Sequence, residues 1–141
     1  MIDGPNKLSL PSIAALTLSV LLMPIAGNAQ DAVETASFTE AQASEGKLTY
    51  DINCASCHGV SLEGAAVVPN LSGDSFASKW SGAPLNEFAT ELRQMPPGNA
   101  SGLDEQDYAA LAAYILSFSG IAAAPNTAGN ALSLQSAASL P

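Results

Sequence analysis

The feature that most constrains this chain is a five-residue run, Cys54-Ala55-Ser56-Cys57-His58. C-x-x-C-H is the attachment signature of c-type haem. Two thiols three residues apart can each add to one vinyl group of a porphyrin, and the next residue brings an imidazole under the ring to bind iron. The run therefore predicts one haem c, attached covalently through Cys54 and Cys57 with His58 on its iron.

Three other interpretations of this run stay open. A thioredoxin-like redox pair sits in a βαβ unit, whereas a helical pattern precedes Cys54 and no strand pattern is evident. A zinc site needs four ligands, and with two cysteines and one histidine in the chain a carboxylate would have to complete it. A structural disulfide would leave His58 incidental. The haem interpretation uses all three side chains and is favoured.

The charge balance excludes several classes of partner. Four Lys+Arg stand against thirteen Asp+Glu in 141 residues, which gives a formal net charge of −9. No basic patch can neutralise a run of phosphates, so the sequence argues against nucleic acid and against anionic membrane surfaces as partners. The length fits one small domain and not a multidomain enzyme.

Residues 1–29 have the layout of a secretory signal peptide. A polar start with Lys7 precedes an apolar run over 8–26, and small residues follow up to Ala29. We expect cleavage after Ala29 and a periplasmic mature chain. The alternative is a retained anchor, but Pro24 helps to cut the run short of the ~20 apolar residues of a spanning helix. No stable membrane anchor is expected after cleavage.

The rest of the chain divides into three stretches. Residues 30–38 are expected to form a flexible lead-in, 39–120 the folded domain, and 121–141 a flexible, uncharged tail. The tail has no charged and no aromatic residue, so it offers little bulky apolar surface to offset the entropy of ordering it.

An all-α domain of three main helices and long loops is predicted for 39–120. The first helix is expected from Thr39 to about Asn53, a short second helix begins at Pro84 and ends before the Pro96-Pro97 pair, and the last helix opens at Ser101 with Gly120 as its stop. Thr39 and Gln42 fit a capping box, in which both side chains bond free amides at the helix start. Gly46 in the middle of the first helix suggests that another element packs closely against it. The stretch from Gly59 to Trp80 is predicted to be loop, because glycine, proline and asparagine interrupt any periodicity.

A second iron ligand is suggested by elimination. Met1 and Met23 lie in the signal peptide and the chain has no second histidine, which leaves Met95 as the soft neutral ligand. Two prolines follow it and would hold its thioether in a loop. A lone methionine is ordinarily a core residue, and that alternative stays open. The position beside a proline pair, well beyond His58, favours ligation.

The stretch from about Glu45 to Gly120 resembles a class I cytochrome c of the small bacterial periplasmic kind. The residues that carry the resemblance are Gly46, Tyr50, the run from Cys54 to Gly59, Pro69, Leu71, Phe76, Trp80, Met95-Pro96 and Tyr114. The resemblance implies the class I cytochrome c fold, with helices and long loops wrapped around one haem. It also implies that the first and last helices cross at Gly46 and Tyr114.

The same resemblance implies further haem contacts. The Pro69 carbonyl would accept a hydrogen bond from His58 Nδ1, as partners of metal-bound histidines commonly do. Leu71 joins the haem-binding residues, and Trp80 would lie near a haem propionate, although a buried core tryptophan is the alternative. A narrower similarity, carried by Phe76, Trp80 and the Met95 loop, is to cytochrome domains and subunits that serve quinoprotein dehydrogenases. A docking ring of lysines, as in mitochondrial-type members, is not expected.

Together these features predict a periplasmic electron carrier and not an enzyme. With His58 and Met95 both on iron, no site stays open for a substrate, and one-electron Fe(III)/Fe(II) exchange is the reaction left. The expected partners are redox proteins, such as a quinoprotein dehydrogenase and a terminal oxidase or another cytochrome, and the acidic surface favours a basic docking face on the partner. Two alternatives stay open: a haem subunit fixed within a dehydrogenase complex, and a haem enzyme or gas sensor with an open iron site.

Overall fold

The computed structural model describes residues 34–121, 123, 124, 129 and 131–140, together with Met1 and Gly4. The chain divides into two compact units, Met1–Gln30 and Asp31–Pro141. Apart from Met1 and Gly4, the predicted signal peptide, 1–29, lies outside the described residues. In the described part of the chain, no helix is both long enough and apolar enough to cross a membrane.

The second unit is built from helices. In chain order these are α1 (Glu40–Asn53), α2 (Ala55–His58), α3 (Gly73–Trp80), α4 (Leu85–Leu92) and α5 (Glu105–Ser117). Extended pairing over the described residues is limited to isolated bridges. The prediction of an all-α fold is confirmed, and the three main helices expected from the sequence correspond to α1, α4 and α5.

Helix α3 was not expected, and the prediction of loop throughout Gly59–Trp80 is wrong at its end. Phe76 and Trp80 stand one helical turn apart and are both buried, so α3 has the apolar stripe of an amphipathic helix. Gly73 was taken as a sign of loop. It lies at the first position of the helix with a φ of 74°, so it makes the turn that leads into α3.

The start of α1 carries half of the predicted capping box. The Thr39 hydroxyl accepts a hydrogen bond from the Gln42 backbone N–H at 3.2 Å. The Gln42 side chain does not bond the helix start. Its Nε2 donates to the Leu132 carbonyl at 2.9 Å, and its Oε1 accepts from the Leu132 N–H at 2.7 Å. The side-chain amide therefore ties α1 to the C-terminal segment.

Helices α1 and α5 cross where Gly46 meets the backbone of α5. A Cβ added at Gly46 would overlap the Ala110 carbonyl oxygen and lie 2.9 Å from the Leu111 nitrogen. The close approach suggested by Gly46 is present, but its partner is Ala110. Tyr114, the partner implied by the family resemblance, lies one turn further along and packs on Tyr50 with ring centroids 5.2 Å apart. Helix α5 is buried at every position from 108 to 116 and forms the centre of the core.

The described parts of the lead-in and the tail differ from the flexible segments expected from the sequence. Both contribute to the core, with buried side chains at Ala36, Phe38, Leu132, Leu134, Ala138 and Leu140. Backbone hydrogen bonds join the two ends: the Ala36 N–H donates to the Ser139 carbonyl at 2.9 Å, and the Ser139 N–H to the Glu34 carbonyl at 2.8 Å. Burying a leucine side chain contributes roughly 1.5–3 kcal/mol. The three buried leucines of the tail therefore offset the entropy lost on ordering it, which the composition of the tail had suggested would keep it flexible.

Candidate functional site

The two thiols and the imidazole of the C-x-x-C-H run are placed by the single turn α2. Cys54 caps this turn, and the His58 N–H donates to the Cys54 carbonyl at 2.9 Å. Residues three or four apart on a helical turn lie on the same side. Cys54, Cys57 and His58 therefore face one cleft, with Cys54 half-buried, Cys57 exposed and both thiols free.

The ionisation of Cys54 speaks against a thioredoxin-like pair. Burial, and secondarily the charge of Cys57, raises the pKa of the Cys54 thiol to about 11. Reactive thiols of redox motifs have lowered pKa values, because the thiolate is the nucleophile. The zinc alternative gains no support either, since no group of three or more His, Cys, Asp or Glu side chains in the described residues is arranged to hold a metal ion.

The orientation of the His58 ring is set by Pro69. The Nδ1 atom of His58 lies 2.9 Å from the Pro69 carbonyl oxygen. A carbonyl can only accept, so this contact places a proton on Nδ1, and Nε2 is the nitrogen of the neutral ring that could bind a metal. The ring has the orientation that the family resemblance implied, with the nitrogen that could bind a metal left available.

The loop that follows His58 is held by hydrogen bonds from both sides. The Gly64 N–H donates to the His58 carbonyl at 2.7 Å, and the hydroxyl of the fully buried Tyr50 donates to the Gly59 carbonyl at 2.5 Å. Burial raises the pKa of Tyr50 to about 12, so this donor stays protonated well into the alkaline range. The Leu71 N–H donates to the Leu62 carbonyl at 2.9 Å and closes the loop.

Met95 approaches the cleft from a loop after α4. Its N–H donates to the Leu92 carbonyl at 3.0 Å, and its own carbonyl accepts a hydrogen bond from the Tyr108 hydroxyl on α5 at 3.2 Å. Pro96 and Pro97 follow, as expected for a side chain held outside a helix. Met95 is half-buried and lines the same cleft as His58.

All seven site residues predicted from the sequence line this one cleft: Cys54, Cys57, His58, Pro69, Leu71, Trp80 and Met95. Apolar side chains complete the lining, namely Phe76, Phe88, Leu92 and Ile115. Phe88 holds the aromatic wall together through edge-to-face contacts with Phe76 and Trp80, at centroid distances of 5.9 and 5.1 Å. An apolar cleft with two thiols, an imidazole nitrogen and a thioether fits a covalently attached haem.

Sequence reasoning missed the two tyrosine hydroxyls that hold the loop after His58 and the loop that carries Met95. Tyr50 was considered only as one of the residues that carry the family resemblance, yet Tyr50 and Tyr108 each donate to a loop carbonyl. A buried tyrosine hydroxyl needs a partner, which was the available signal. The identity of the partner depends on tertiary contacts and could not be inferred from spacing.

Sequence reasoning also missed an ion pair at the rim of the cleft. Lys79 on α3 contacts Glu91 on α4, with Nζ 2.5 Å from Oε1. The same ammonium group lies 4.7 Å from the centroid of the Trp80 ring. Trp80 and Glu91 both line the cleft, so the pair borders the site.

A helical domain that gathers two thiols, an imidazole and a thioether around one apolar cleft is a small c-type cytochrome. The sequence profile of the family described as cytochrome c oxidase, cbb3-type, subunit III matches residues 41–115, and the chain belongs to this family of cytochrome c domains. The family implies a covalently bound haem and electron transfer as its use.

Two curated relatives are small bacterial c-type cytochromes. The chain is 36% identical to cytochrome c-554(547) of Halothiobacillus neapolitanus over an alignment of 91 residues, and the match covers 52% of this chain and 92% of that protein. It is 44% identical to cytochrome c-551 of Bacillus subtilis (strain 168) over 68 residues, 47% of this chain and 59% of that protein. No solved structure matches the chain significantly.

Proposed function

We propose that the protein is a one-electron carrier in which His58 and Met95 would bind the iron of one haem c. The observation that carries this proposal is that both side chains line the cleft that also receives Cys54 and Cys57. When bound, the haem supplies an Fe(III)/Fe(II) couple. Two protein ligands leave no position for a substrate, so the chain serves transfer and not turnover.

Both proposed ligands are held by hydrogen bonds within the protein. Pro69 fixes the ring of His58 through Nδ1, and Tyr108 fixes the backbone of Met95. Ligands positioned by such contacts keep nearly the same geometry in both oxidation states, which lowers the reorganisation cost of electron transfer. A thioether favours the ferrous state more than a second imidazole does, so we predict a positive reduction potential.

The partner is proposed to present a basic surface. The three lysine and arginine side chains of the described residues, Lys47, Lys79 and Arg93, are each paired with a carboxylate of this chain. The remaining acidic groups therefore set the long-range field, which would attract a basic redox protein and would weaken with salt. A transfer rate that does not change with ionic strength would argue against this docking mode.

The proposed setting is the periplasm, between a dehydrogenase such as a quinoprotein dehydrogenase and a respiratory acceptor. A second candidate is a haem subunit fixed within a redox complex. The description of the matching family, a subunit of an oxidase, favours that candidate. Purification from the native host separates the two, because a fixed subunit elutes with a large enzyme whereas a shuttle elutes alone.

The ligand assignment is tested by visible spectra of the purified protein, oxidised and reduced. We expect the weak long-wavelength ferric band that reports sulfur on iron, and its loss in Met95→Ala. Met95→Ala should also admit carbon monoxide to the reduced protein, whereas Met95→His should exclude it and lower the potential. Carbon monoxide binding by the unaltered reduced protein would instead support a gas sensor or haem enzyme. A colourless protein from a host competent in haem attachment would refute the proposal.

A further inference from the structure

We propose that Lys79 and Glu91, paired at the rim of the cleft, act on the reduction potential of the site in opposite directions, so that Lys79 offsets the effect of the Glu91 carboxylate while the pair is intact. This inference rests on the proposed electron-carrier function. It assigns a role to two residues that are neither thioether attachment points nor axial ligands.

The geometry of the pair ties it to the cleft. Lys79 lies on α3 and Glu91 on α4, and their contact spans the two helices that supply the aromatic wall. The ammonium group of Lys79 also lies over the face of Trp80, which attracts cations through its ring quadrupole. Glu91 and Lys79 are about half exposed, at 53% and 54% of their side-chain surface, so the pair stands between the cleft and solvent.

Glu91 is the only charged carboxylate side chain that lines the cleft in the described part of the chain. The other two ion pairs, Lys47 with Asp51 and Arg93 with Glu105, contribute no residue to the cleft lining. A haem brings two propionate carboxylates of its own. An unmatched carboxylate beside it would add to their charge, and Lys79 is the cation that offsets Glu91.

The sign of each contribution follows from the charge change on reduction. Reduction removes one positive charge from the site, so a nearby anion stabilises the oxidised form and lowers the potential, whereas a nearby cation raises it. With both members present, the effects of Lys79 and Glu91 largely cancel. When one member is removed, the charge of the other is no longer offset and shifts the reduction potential.

The test is a spectroelectrochemical titration of the holoprotein at low ionic strength, where charges at partly exposed positions are least screened. Lys79→Gln should lower the midpoint potential and Glu91→Gln should raise it. The double variant should return close to the unaltered protein. The conservative variants Lys79→Arg and Glu91→Asp keep the charges and should leave the potential close to its original value.

Matched controls are available on α1. Lys47 and Asp51 form a pair with similar exposure, 53% and 42%, away from the cleft. Lys47→Gln and Asp51→Asn change the net charge of the protein by the same amounts, so their shifts measure the general effect of charge. The shifts at Lys79 and Glu91 should exceed them and should shrink as salt is added.

A purely structural role of the pair gives a different pattern. Because Lys79→Gln and Glu91→Gln break the same contact, loss of a structural link would move the potential in the same direction in both variants. That result, or shifts no larger than the α1 controls, would overturn the inference. Failure of the proposed function is recognised separately, since the unaltered protein would then lack a reversible one-electron couple or the sulfur-ligation band.

Discussion

Replacing Gly46 by alanine tests the crossing on which the fold of this domain depends. In the structure, the backbone of α5 occupies the space that the new methyl group needs. The added Cβ would overlap the Ala110 carbonyl oxygen and lie 2.9 Å from the Leu111 nitrogen. These are backbone atoms in the centre of a buried helix, so no side chain can rotate away and the two helices must separate.

Two opposed terms set the size of the effect. Alanine is the better helix former and stabilises α1 by about 1 kcal/mol relative to glycine. Overpacking a tight contact costs about 1–3 kcal/mol and occasionally more, and a clash with backbone belongs at or above the top of that range. The expected net loss is about 2 kcal/mol. Since 1 kcal/mol shifts the Tm of a 60–100-residue domain by about 4–8 °C, Gly46→Ala should lower Tm by about 8–16 °C.

Thermal unfolding of the holoprotein, followed by circular dichroism, measures this loss. Ser44 lies on the exposed face of the same helix, so comparing Ser44→Gly with Ser44→Ala isolates the propensity term. Alanine should be the more stable at position 44 and the less stable at position 46. If Gly46→Ala raised the Tm as the propensity term alone predicts, the close contact between α1 and α5 would not exist.

Three further predictions concern hydrogen bonds around the site. Tyr108→Phe removes the donor to the Met95 carbonyl, and such a hydrogen bond contributes about 1 kcal/mol. An added external ligand should therefore displace the thioether from ferric iron roughly fivefold more easily. The loss of the sulfur-ligation band during a ligand titration measures this displacement. Gln42→Ala removes two hydrogen bonds to Leu132, which contribute about 0.5–1.5 kcal/mol each. Hydrogen exchange at the Leu132 amide should therefore be faster in the variant than in the unaltered protein. Equal exchange rates in the two proteins would mean that other contacts hold the C-terminal segment. The pKa of Tyr50 is raised from 10.0 to about 12. The neutral phenol therefore stabilises the fold fully below pH 10, and this contribution is lost as the pH rises towards 12. Ultraviolet titration should show a last phenol ionisation that Tyr50→Phe abolishes.

The sequence was most specific about the candidate site, because the chemistry expected there is carried by rare residue types. The chain has two cysteines, one histidine and, beyond the predicted signal peptide, one methionine, so each had few possible roles. Spacing placed the two thiols and His58 on one turn, and proline placed Met95 in a loop. That these residues line one cleft follows from tertiary packing, which spacing along the chain does not determine.

The sequence was less informative where a residue type serves several structures. Gly73 was taken as a loop signal, although a glycine with positive φ also makes the turn into a helix. Gln42 fitted a capping box, yet its amide found a better match in the backbone of Leu132, which is ninety positions away. Local patterns cannot rank a nearby partner against a distant one. Tertiary contacts decide between them.

The same crossing that Gly46 permits also positions the two loops that carry the proposed iron ligands, His58 and Met95. Tyr50, one turn after Gly46 on α1, donates to the carbonyl next to His58, and Tyr108, half a turn before Ala110 on α5, donates to the carbonyl of Met95. Each ligand loop is thus tied to one of the two crossing helices. A change in the separation of α1 and α5 must move the two loops relative to each other. We therefore expect Gly46→Ala to weaken the sulfur-ligation band as well as the fold, whereas a variant equally destabilised at a site remote from the crossing should keep the band at full strength while it is folded.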